Sequence, residues 1–174
     1  MQPSSVEWPA APTAPPVEAR RGAYVVSTDP ARLDLAAVHR YLARSYWSPG
    51  IPEDVVRRAA AHSLTCGLYH ETDDGVEQVG YARAVTDRAT YAYLADVYVL
   101  EEHRGRGLGA WMVGTLLSHD ALQGLRRTAL MTRDAHRLYA RFGFRPAARP
   151  ESYMERVVPN AYGAAAPAPP TAEV

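Results

Sequence analysis

Apolar and polar positions along the central part of the chain switch between two periods. Residues 24–27 form a short β-like run. Leu35, Val38 and Leu42, with Tyr41 and Tyr46 close by, recur at helical spacing over 34–45. Pro52, Glu53 and Asp54 put a proline and two acids where a first helical turn favours them, which predicts a second helix reaching about His62. Residues 64–70 read as a strand, Thr72-Asp73-Asp74-Gly75 as turn chemistry and 77–86 as the returning strand of a hairpin. Asp87-Arg88-Ala89 then turns the chain into a tyrosine- and valine-rich strand over 91–100. Leu108, Trp111, Met112 and Leu116 share one face of a helix over 108–119. A short strand over 128–132, a short helix over 135–141 and a last strand over 152–158 complete the order β-α-α-β-β-β-α-β-α-β. This inventory predicts a mixed sheet with helices on both faces, of the α/β or α+β kind, without internal repeats.

Composition sets the limits of that unit. Nine of the 14 prolines lie in residues 1–22 and 159–174, among alanine and small polar residues, so both ends read as disordered tails around one folded domain over 23–158. Trp8 is large enough to dock back onto the body. All 19 basic residues are arginines. Without lysine there is no Walker-type phosphate loop and no lysine Schiff base. Zero net charge argues against a non-specific nucleic-acid binder. The single cysteine, Cys66, excludes an internal disulfide and a cysteine-rich metal site, and its apolar strand reads as packing. No histidine–carboxylate spacing suggests zinc, so no metal is expected. No apolar run approaches the roughly 18 residues of a membrane span, and the start lacks a signal-peptide core, so a soluble, cytoplasmic protein away from the membrane is expected.

The sharpest chemical feature is Glu101-Glu102-His103-Arg104-Gly105-Arg106-Gly107-Leu108-Gly109, between the strongest strand and the strongest helix. Glycines at alternate positions let the backbone turn tightly and approach a ligand. Amides at a helix N-terminus favour an anion, and Arg104 and Arg106 can add charge-assisted contacts to phosphate oxygens. Gly105, Gly107 and Ala110 also satisfy the dinucleotide fingerprint. That fingerprint should open the first βαβ unit, whereas here it follows six predicted elements, so a dinucleotide oxidoreductase fails on topology.

Arg104, Gly107 and Gly109 also match [RQ]-x-x-G-x-[GA]. Downstream, Ala135-His136-Arg137-Leu138-Tyr139-Ala140-Arg141-Phe142-Gly143-Phe144 has the form A-x-x-L-Y-x-x-F-G-F. With both motifs in place, the sequence resembles the GNAT superfamily of acetyl-CoA-dependent N-acetyltransferases across essentially all of 23–158. Residues 46–52, 82–87 and 93–99 further resemble a bacterial single-domain branch whose acceptors are mostly unassigned. The resemblance implies a mixed, largely antiparallel sheet of about six to seven strands flanked by about four helices. It implies acetyl-CoA as co-substrate, with Val97, Tyr98 and Val99 pairing with the pantetheine arm and the loop amides from Arg104 to Gly109 holding the pyrophosphate. Tyr139 matches the tyrosine that sits near the cofactor sulfur. Thr132 stands where many members carry an asparagine that contacts the pantetheine side.

The implied reaction needs a base or water chain, donors for an oxyanion, and an acid for the thiolate. Tyr139 can be that acid or a core tyrosine packing its helix onto the sheet. Asp96, inside an apolar strand, can be a base raised by burial or a structural carboxylate paired with an arginine such as Arg83. Glu101, Glu102 and the pair His119–Asp120 are weaker candidates. His103 and His136 are near enough to contact phosphates, although a lone loop histidine is more often a surface residue. Tyr46 and Trp47, in a loop bounded by proline and glycine, can bind a cationic amine or a flat ring, or plug the core; Tyr91 and Tyr93 face the same choice. The expectation is N-acetyl transfer to a small-molecule amine or an exposed amino group, with a non-catalytic acyl-CoA-binding or sensing module as the alternative. A homodimer is left open.

Overall fold

A computed structural model describes residues 14–163. Trp8 and most of the two proline-rich ends lie outside the described residues. Six strands form one sheet in the order of the chain: β1 (Glu18–Arg21), β2 (Tyr24–Ser27), β3 (Leu64–Thr72), β4 (Gly75–Thr86), β5 (Tyr91–Val99) and β6 (Arg127–Leu130). Every neighbouring pair is antiparallel except β5 and β6, which run parallel. Four helices flank the sheet: α1 (Leu35–Leu42), α2 (Glu53–Ala61), α3 (Leu108–Leu117) and α4 (His136–Ala140).

Local chemistry explains the ends of these elements. Asp34 caps α1 by accepting the Ala37 N–H at 2.9 Å, while its own N–H donates to Gln78 at 2.7 Å and fixes the helix on β4. Pro52 precedes α2, and Glu53 in its first turn pairs with Arg57 one turn on. The turn from β4 to β5 closes on Asp87, whose carboxylate accepts from the N–H groups of Ala89, Thr90 and Tyr91 and from the Thr90 hydroxyl. Those donors, the Thr90 hydroxyl foremost, hold its pKa well below the usual carboxylate range.

The helices divide the core in two. On one face α3 packs Leu108, Met112, Val113 and Leu116 against Val26, Leu68, Val79 and Leu94. On the other, Val38 and Leu42 of α1 and Val56 of α2 enclose Tyr81 and Tyr98. Fully burying one such Leu or Met side chain is worth about 1.5–3 kcal/mol, so the sheet is held from both sides.

Two boundaries differ from the sequence reading. Pairing begins at Glu18, inside the expected tail, because β1 is a mostly exposed edge strand without apolar periodicity. It is secured by its ladder to β2 and by Arg32 bridging Glu18 and Glu71. The expected last strand over 152–158 does not form; a short 3-10 turn, Pro150–Ser152, leads into an exposed, unpaired stretch. The sheet therefore has six strands with a different sixth member.

Candidate active site

The pairing of β5 changes along its length, and this opens the site. Tyr91 through Leu94 pair with β6, but from residue 95 onward only β4 pairs with β5. The freed edge, the glycine loop, the segment after β6 and α4 line an open cleft of about 1610 Å³. At the point of departure Asp96 and Val97 together oppose Ala82, forming a bulge. Asp96 adopts φ +54°, a left-handed conformation that short polar residues tolerate best.

Val99 leads through a 3-10 turn (Glu101–His103) into the loop. Gly105 and Gly107 take φ +76° and +73°, and Gly107 forms the N-terminal end of α3 with no side chain capping it. The first amides of a ten-residue helix are thereby left to an outside acceptor, which is the arrangement an anion needs. Leu108 is buried and contributes only backbone here, while Gly109 sits beside Val99 and Leu138 with ordinary contact room for a Cβ.

The two loop arginines are engaged within the protein. Arg104 donates to the Val99 carbonyl at 2.8 Å, to the Tyr41 hydroxyl at 3.0 Å and to Glu101 at 2.7 Å. Arg106 donates to the Tyr24 hydroxyl at 3.0 Å, which lies 2.9 Å from His103 Nδ1. His103 is only 9% exposed, against the expectation of a surface residue; it and His70 pack around the Tyr24 ring. Tyr24 and Tyr41 are therefore loop supports that the motif did not reveal. Tyr41 belonged to the apolar repeat of α1, but nothing local marked Tyr24.

On the α4 side, Thr132 accepts the Ala135 N–H at 3.0 Å and shapes the entry to α4. Tyr139 lines the cleft, is 8% exposed and packs edge-on against Phe144. Burial pushes its phenol up to about 12, with Tyr46, Asp134 and Tyr93 adding to the shift. It stays protonated across the physiological range. His136 is exposed on the same short helix.

Opposite lies an aromatic wall. Tyr41 stacks on Tyr98 with centroids 3.7 Å apart, and Trp47 meets Tyr46 edge-on at 4.9 Å. Burial raises the pKa of Tyr98 and Tyr41, and that of Tyr93 as well, so all three remain hydrogen-bonding phenols. Tyr46 and Trp47 are 37% and 38% exposed and open to the cleft, whereas Tyr91 is not among its lining residues. Asp96 is clamped between Arg83 Nε at 2.6 Å and the Trp47 indole N–H at 3.1 Å, and Arg83 also donates to Ser63. Of its two readings, the ion pair is therefore the one with a partner in place. Arg133, absent from the sequence reading, lies over the Tyr46 ring at 3.8 Å.

The remaining candidates fall outside the chemistry. Cys66 is fully buried against α3, and burial pushes its thiol up to about 12. Buried His119 accepts the Ala121 N–H through Nδ1, and desolvation lowers its pKa, so it ends α3 as a neutral ring. Glu102 is exposed, and Glu101 is tied to Arg104. Among the described residues no group of three His, Cys, Asp or Glu can hold a metal ion, and no helix is long and apolar enough to cross a membrane.

Comparison with known proteins agrees with this geometry. Residues 65–146 match the family described as "Acetyltransferase (GNAT) domain". A candidate acetyltransferase of Gibberella zeae is 38% identical over 140 residues, covering 70% of this chain and 78% of that protein. The crystal structure of a candidate GNAT-family acetyltransferase from Xanthomonas campestris pv. campestris is 47% identical, covers 81% of this chain and 97% of its own, and superposes with a TM-score of 0.75. A Clostridium acetobutylicum structure described as a predicted acetyltransferase with acetyl-CoA is only 14% identical at a TM-score of 0.56, over 77% of this chain and 94% of its own, and speaks for the fold alone. With relatives this similar across most of their length, and the glycine loop following the edge of β5 that β6 leaves open, the chain belongs to the GNAT family of acetyltransferases and is an acyltransferase.

Proposed function

We propose that the protein transfers the acetyl group of acetyl-CoA to the primary amine of a small molecule by direct attack. The observation that carries the proposal is the convergence, in one cleft, of the uncapped N-terminus of α3, the unpaired edge of β5 and the protonated phenol of Tyr139. The loop amides suit the pyrophosphate. The backbone of Val97, Tyr98 and Val99, on the edge of β5 that β6 leaves open, suits the pantetheine amides.

The amine nitrogen forms a bond to the thioester carbon, the C–S bond breaks, and the sulfur leaves as a thiolate. The amine sheds one proton and the thiol gains one, so the reaction is balanced without another reactant. Magnitudes decide how Tyr139 takes part. A phenol near 12 is a weaker acid than an alkyl thiol of about 8.5, so full proton transfer to sulfur is uphill. Tyr139 instead steadies the forming thiolate by a charge-assisted hydrogen bond, and the thiol takes its final proton from solvent. Asp96, held by Arg83 and Trp47, positions the bulge, and the amine's proton leaves to water.

The test is free-thiol release from acetyl-CoA across a broad panel of amines, alongside acetyl-CoA binding by calorimetry. Accelerated release with at least one amine is expected. Binding with no acceleration by any amine returns the protein to a binding or sensing role.

A further inference from the structure

The acceptor end of the cleft carries a charge pattern that restricts what can occupy it. Its one well-buried carboxylate, Asp96, has a side chain only 8% exposed and is already neutralised by Arg83. The other acid nearby, Asp134, has a side chain 73% exposed and lies 4.0 Å from Arg133. Such an exposed pair contributes little, so it does not quench the Arg133 guanidinium. Arg44, also a lining residue of the cleft, donates to the Arg40 carbonyl and makes no ion pair among the described residues. Its charge acts on Tyr41, lowering that phenol's pKa against the larger effect of burial. Two guanidinium groups thus line the same cleft as Tyr46 and Trp47, Arg133 directly over the Tyr46 ring, with no uncommitted buried acid among the lining residues.

A polyamine or other polycation is disfavoured here, because it meets guanidinium groups with no uncommitted buried carboxylate to neutralise its charges. A carboxylate-bearing amine finds the reverse: guanidinium groups bind its carboxylate and the aromatic faces cover an apolar body. The same cations disfavour the ammonium form and so shift the amine toward its nucleophilic state. That supplies an effect otherwise asked of a general base, and Asp96 is not available for that role.

We infer that the acceptor is a small amine bearing its own carboxylate and a flat apolar group, with Arg133 and Arg44 receiving the carboxylate. This rests on the acetyl-transfer reading above. The experiment measures thiol release with acetyl-CoA for L-phenylalanine, phenethylamine and spermidine, with rates corrected for the fraction of free amine. It uses the full chain, Arg133→Gln and Arg44→Gln, and a thermal shift with acetyl-CoA shows that each variant folds and binds. L-phenylalanine should exceed phenethylamine in kcat/KM by about ten-fold, the effect of one charge-assisted contact. That ratio should fall toward one in Arg133→Gln, and more modestly in Arg44→Gln. Preference for phenethylamine or spermidine, or a ratio untouched by both substitutions, overturns the inference and leaves acetyl transfer standing. Silence with all three alongside release in the broad panel overturns the inference alone. Silence across the whole panel overturns the transfer reading and this inference with it.

Discussion

The two sides of the cleft are made of different material. The loop side presents backbone: amides at the start of α3, freed by positive φ at Gly105 and Gly107, and the open edge of β5. The facing side, proposed above for the acceptor, presents side chains from distant parts of the chain, such as Trp47 on Asp96 and Arg133 over Tyr46. A phosphate is a constant ligand that a short stretch of backbone can hold, so its site is written locally in glycines. An acceptor varies from one enzyme to the next, and its site is assembled only once the sheet has brought the segments together.

Four measurements put pressure on that contrast. The largest effect is expected at Arg83→Met, which strands the buried Asp96 carboxylate and should cost about 4 kcal/mol in chemical denaturation. Adding Asp96→Asn should recover part of it; no loss in the single variant would mean that the ion pair does not hold the bulge. Next, Gly107→Val forces a β-branched residue into φ +73° and should weaken acetyl-CoA binding by about 200-fold (~3 kcal/mol) in a chain that still folds by circular dichroism. Unchanged binding would move the phosphate site off the backbone. Tyr139→Phe should lower kcat by about 100-fold, the usual effect of one donor to a developing anion, while acetyl-CoA affinity changes little. Equal losses in both would return Tyr139 to packing. The smallest is Tyr24→Phe, which removes the oxygen between Arg106 and His103 and should raise the dissociation constant for acetyl-CoA about five-fold (~1 kcal/mol), as for one hydrogen bond.

A pH measurement separates the scaffold from the site. His119 has its pKa lowered by burial, so its contribution to stability is complete above the ordinary histidine value of 6.5 and is lost as pH falls through the folded value. The Tm of the wild type should fall between pH 7 and pH 5 more steeply than that of His119→Gln. Equal slopes would assign acid sensitivity elsewhere.

What could be read from the sequence follows the same division. β3, β4, β5 and α3 carry strong apolar periods and lie within one or two residues of where those periods place them. β1 escaped notice because Glu-Ala-Arg-Arg is held by backbone pairing and by ion pairs to other elements, neither of which leaves a period in the sequence. The stretch over 152–158 misled in the opposite way: Tyr153, Met154, Val157 and Val158 have strand propensity but no partner, and all four are exposed. At the site, the glycine loop and Tyr139 were legible as motifs. The left-handed turn at Asp96, the burial of His103 and the place of Arg133 depend on tertiary neighbours and were not.

The hydrogen bonds of Arg104 carry one more consequence. A single guanidinium joins the end of β5 to the hydroxyl of Tyr41, which stacks on Tyr98 behind the aromatic wall. In the acetyl transfer proposed above, cofactor and acceptor press on one shared strut from its two ends. Whatever one occupant gains by shifting that strut it must offer equally to the other, since coupling between two binding equilibria is reciprocal. The effect of each ligand on the affinity of the other is then a single coupling free energy, and Arg104 is where it can be tuned.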